Sequence, residues 1–74
     1  MAQSARITLA RHIRCWRFTQ GLSQEQLAEK SGMHRTYISA LERGRINPGL
    51  DAIERLAQAL SVPLAALFER SHTS

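Results

Sequence analysis

At 74 residues the chain has room for one small domain, read here as residues 1-74 with an ordered core of about 5-70, and not for a second core. Ten basic residues, nine of them arginine, against six acidic ones give a net charge of +4, which points toward a polyanion. An aromatic content of 5% with sparse glycine and proline favours helices. No apolar run approaches a membrane span, no secretory signal is visible, and the lone Cys15 excludes an intrachain disulfide, so the expected location is cytoplasmic.

The charge is uneven. Residues 1–20 hold four arginines and no acid, whereas residues 51–74 are close to neutral. The first helix is expected from Ala5 to Phe18, with residues 1–4 disordered. Leu9, Ile13 and Trp16 share one of its faces at helical spacing, with Ala10 and Arg17 at the edge. Arg6, Arg11 and Arg14 point elsewhere, toward solvent or a polyanion. Ile7 and Phe18 fall opposite Leu9 and are expected to be ordinary exposed apolar residues. Cys15 reads as filler at the helix edge.

The stretch Ser23 to Gly44 carries the clearest pattern. Ser23 and Gln26 stand three apart, as in a capping box, and Leu22 and Leu27 take the positions of a hydrophobic staple. A second helix is therefore expected over Gln24 to Lys30. Its first backbone N–H groups form an anion-attracting end. Gly32 supplies the positive φ for a tight turn, and a third helix follows over Arg35 to Arg43, stopped by Gly44. Two short helices joined at a glycine make the pattern of a helix-turn-helix. With Ile38 and Leu41 turned inward, His34, Tyr37 and Glu42 flank the buried side. Thr36, Ser39, Ala40 and Arg43 then face outward, with Arg35 at the margin. Small or basic side chains there let a helix backbone approach base edges in a major groove.

Asn47-Pro48 marks a turn, and a fourth helix is expected over Leu50 to Leu60 with Leu50, Ile53, Leu56, Ala57 and Leu60 as its apolar stripe. Pro63 ends the break after it. A short fifth helix, Leu64 to Glu69, presents Leu64, Leu67 and Phe68, and the tail from Ser71 is expected to fray. Three large apolar side chains on so short a helix point to a homodimer interface, with plain core as the other reading. Arg17 and Glu42, each beside the buried face of its helix, are matched as an ion pair tying the first helix to the third. His12, His34 and His72 lack ligand spacing, so no metal is expected. No serine has base geometry and no phosphate loop appears, so neither catalysis nor a cofactor is expected.

Ser23 to Gly44, followed by Arg45-Ile46-Asn47-Pro48, closely resembles the helix-turn-helix of phage-repressor-like, xenobiotic-response-element-type bacterial regulators. His34 to Ser39 is similar to the controller proteins of restriction–modification systems. The resemblance covers about residues 9–68. It implies an all-α, lambda-repressor-like five-helix bundle that binds double-stranded operator DNA as a homodimer, with no small-molecule ligand. Carried over by position, Arg35, Thr36 and Ser39 are the base readers. Gln24 holds a phosphate, and Tyr37, Arg43, Arg45 and Asn47 are further backbone contacts. Arg17 and Glu42 match the family's internal ion pair, and the fifth helix matches its dimer surface. The sequence departs from the pattern at Ser31, usually apolar; at His34 and Gly49, usually better helix caps; and at Ser61, often glycine. The other reading of this fold is an antitoxin or adaptor that works by protein–protein contact.

Overall fold

The computed structural model describes residues 4–69. Four α-helices and a short 3-10 turn follow one another: α1 (Ala5–Thr19), α2 (Gln24–Ser31), α3 (Arg35–Glu42), α4 (Leu50–Leu60) and the turn Leu64–Leu67. The four α-helices fall within a residue of the expected bounds; Arg43 caps α3 rather than extending it. The fifth element is not the expected six-residue helix. It is a single 3-10 turn, and Phe68 already lies beyond it.

Each helix end has a local cause. Ser4, expected to be disordered, instead caps α1, its hydroxyl accepting from the Ile7 N–H at 3.3 Å. Of the expected disorder at both ends, residues 1–3 and the tail from Ser71 lie outside the described residues. Gly32, at φ 72°, closes α2 in the left-handed region. Ser61 does the same for α4 at φ 57° and ψ 42°, and it is the only described non-glycine residue with positive φ. A side chain there costs roughly 1–2 kcal/mol relative to glycine.

The core is built from Leu9 and Ile13 of α1, Leu27 and Ala28 of α2, Ile38 and Leu41 of α3, and Ile53, Leu56, Ala57 and Leu60 of α4. Trp16, expected as full core, is only partly buried against it. Two apolar residues change places with respect to expectation. Leu50 belongs to the α4 stripe by spacing but is 65% exposed, because it opens the helix before α4 reaches the core. Leu67 is 0% exposed and completes the core between α1 and α4. Its side chain is therefore removed from the expected dimer surface; Leu64 and Phe68 stay exposed. The imidazole Nδ1–H of His12 donates to the Leu67 carbonyl at 2.8 Å, tying the turn back to α1.

Ile7 is exposed, as its position suggested, but its side chain also lies over a neighbouring segment. Gly44, buried and at φ 69°, passes beneath it so closely that a Cβ on Gly44 would lie 2.7 Å from Ile7 Cδ1. The positive φ favours glycine there, and a Cβ would also force the tip of the Ile7 side chain to move aside.

Candidate nucleic-acid interface

α2 starts from a complete capping box. Ser23 Oγ accepts from the Gln26 N–H at 3.0 Å, and Gln26 Oε1 accepts from the Ser23 N–H at 2.8 Å. After the Gly32 turn, the Met33 N–H donates to the Ala28 carbonyl at 2.8 Å, fixing the angle at which the chain leaves. α3 starts at His34 with no side-chain bond to its first turn.

The buried side of α3 carries Ile38, Leu41 and Glu42. Glu42, 5% exposed, meets Arg17, 8% exposed, in a two-pronged ion pair: Nε to Oε2 at 2.7 Å and Nη2 to Oε1 at 2.9 Å. Arg17 spends its remaining nitrogen on the Leu22 carbonyl at 2.9 Å. The hydrogen bond to Glu42 holds the Arg17 pKa above its ordinary value; burial works against this, and the charge of Glu42 adds to it. A planar fork on a carboxylate is the strongest form of such a pair. It joins α1 to the far end of α3. No buried side-chain nitrogen or oxygen among the described residues lacks a partner.

With that side occupied, Arg35 and Thr36 are exposed, Ser39 and Ala40 are half-buried beside them, and Arg43 is exposed at the cap. Arg45 and Asn47 are exposed on the following loop. Tyr37 is half-buried and packs on the core. The proposed base readers thus share the free side of α3.

Gln24, expected to hold a phosphate, reaches the ion pair from the start of α2. Its side chain is half-buried and its amide donates to Glu42 Oε1 at 3.1 Å, so it is a third member of the ion-pair cluster. Asn47 accepts from Arg6 Nη1 at 3.4 Å, which links the loop after α3 to the start of α1. Neither partner was visible in the sequence, since both span many residues. Ser31, where an apolar residue is usual, is buried with its hydroxyl donating to the Leu27 carbonyl at 2.7 Å. The buried hydroxyl at this departure is thus satisfied by a local bond.

The helix-turn-helix family model matches residues 16–67. A hypothetical transcription factor of Neisseria meningitidis serogroup B is 48% identical over 60 residues, 81% of this chain and 57% of that protein. Control protein C.SmaI of Serratia marcescens is 47% identical over 62 residues, 84% of this chain and 74% of that one. The solved structure of the restriction-modification controller protein C.AhdI from Aeromonas hydrophila matches with a TM-score of 0.83 at 40% identity, over 85% of this chain and 96% of that chain. The match thus spans little more than half of the Neisseria relative but nearly the whole of C.AhdI. The chain belongs to the helix-turn-helix family of transcriptional regulators, and within it is similar to the restriction–modification controller proteins.

Proposed function

We propose that the protein is a homodimeric, sequence-specific DNA-binding regulator that lays α3 of each subunit in the major groove of a palindromic operator. One observation carries the reading: Arg35, Thr36 and Ser39 share the free side of a helix whose other side is pinned by the Arg17–Glu42 pair. Arginine reads guanine edges with two bonds, and the small neighbours let the helix approach. The two half-sites would lie about one helical turn apart, roughly 34 Å. The exposed Leu64 and Phe68 supply apolar surface for a second subunit. Phosphate contacts through Arg43, Arg45 and Asn47 would give most of the affinity, and Arg35, Thr36 and Ser39 the preference among sequences. The relatives named as controller proteins support a role in a restriction–modification system, working in the cytoplasm at the protein's own promoter.

The test is a salt-titrated binding assay on selected and random duplexes. Arg35→Ala should cost roughly 1–3 kcal/mol at one base position, whereas Arg43→Ala should weaken all sequences alike and flatten the salt slope by about one. Equal losses from both variants on both duplexes would undo this division of roles. No binding to any duplex at low salt would favour the antitoxin or adaptor reading instead.

A further inference from the structure

A second basic surface lies outside the reader face. Arg11 and Arg14 of α1 and Arg43 at the end of α3 line one groove, together with Ile7, Ala10 and Glu42. Ala10 is buried and forms part of the floor. All three arginines are exposed, and among the described residues none makes a side-chain hydrogen bond or ion pair. The one acid in the groove is already engaged: both oxygens of Glu42 are held by Arg17, and one of them also by Gln24. The groove therefore presents three guanidinium groups with no counter-charge of its own.

We infer that this groove is a phosphate site which extends the DNA contact from α3 onto α1, with Arg11 and Arg14 gripping the sugar–phosphate backbone beyond the bases that α3 reads. The inference rests on the DNA reading of α3. Two observations favour a backbone phosphate over another anion. Arg43 belongs at once to the groove and to the end of the reader helix, so a duplex seated on α3 continues toward α1. The planar forks of three arginines also match phosphate oxygens, and bringing three like charges together without an anion is unfavourable. Arg11 and Arg14 would carry no sequence preference, because phosphates are the same in every sequence.

Each phosphate neutralised adds about 0.9 to the slope of log affinity against log salt. The double variant R11Q/R14Q should therefore flatten the slope by about 1.8, which means about tenfold less affinity lost over a fourfold rise in salt. The losses should be equal on operator and random duplexes. Lys30 and Arg55 are exposed and lie outside the groove, so K30Q/R55Q is the charge-matched control. The single variants Arg11→Gln and Arg14→Gln, each expected to remove about half the effect, keep the test valid if the double variant folds poorly. A double variant whose slope equals that of K30Q/R55Q, while wild type binds normally, overturns the groove and leaves the reader helix standing. A wild type that shifts no duplex removes both.

Discussion

The two helices of the helix-turn-helix begin in opposite ways. α2 opens on a reciprocal capping box, with both bonds made by residues three apart. α3 opens on His34, with no side-chain bond and no acidic residue in its first turn. Local chemistry thus sets where α2 starts, while α3 is held from its other end by Ile38, Leu41 and the Arg17–Glu42 pair. α2 is fixed by its own sequence and α3 by its neighbours. The start of α3, which carries Arg35 and Thr36, stays free of bonds that would compete with a duplex.

The sharpest way to break this contrast is at the anchor. Glu42→Ala strands a buried guanidinium and also releases Gln24, so it should destabilise the domain by about 3–5 kcal/mol. Thermal unfolding reads this directly, and a melt within a degree or two of wild type would mean the pair bears no load. Because pairing raises the Arg17 pKa, the Arg17 share of the stability is present at every pH below its ordinary value. That share disappears only as pH climbs through the raised one.

Smaller changes sharpen the comparison at the helix ends. Ser23→Ala removes one bond of the capping box and should cost about 1 kcal/mol in urea unfolding. Ser61→Gly should stabilise by roughly 1 kcal/mol, since the left-handed conformation that Gly32 adopts freely is strained in a serine. An unchanged urea midpoint would show that the Ser61 backbone relaxes in solution. The smallest effect is expected from His34→Ser, a gain of about 0.5 kcal/mol from giving α3 the cap it lacks. If that variant gained as much as Ser23→Ala loses, the two starts would be equivalent and the contrast would fail.

What was legible in the sequence follows from distance along the chain. The capping box, the Gly32 turn and the Gly44 stop depend on neighbours within a few residues, and they stand where the pattern puts them. The inward side of α3 followed from the helical period. The fifth element resisted, because four residues are too few to carry a period; nothing in Leu64, Leu67 and Phe68 says which one turns inward. The structure selects Leu67, through α1 and α4 on either side. Leu50 shows the converse: a valid period places it on the apolar stripe, but the first residue of a helix can overhang what the stripe packs on. At the candidate site, the exposed side of α3 was legible, whereas the turn of Gln24 toward Glu42, 18 residues away, needed the fold.

The burial of Leu67 also orders events during synthesis. Ile13 and Leu41 leave the ribosome well before the residue that seals the core between α1 and α4. A chain stopped anywhere short of Leu67 lacks both the side chain that closes the floor between α1 and α4 and the carbonyl that His12 grips, so the core stays open until this last element is made.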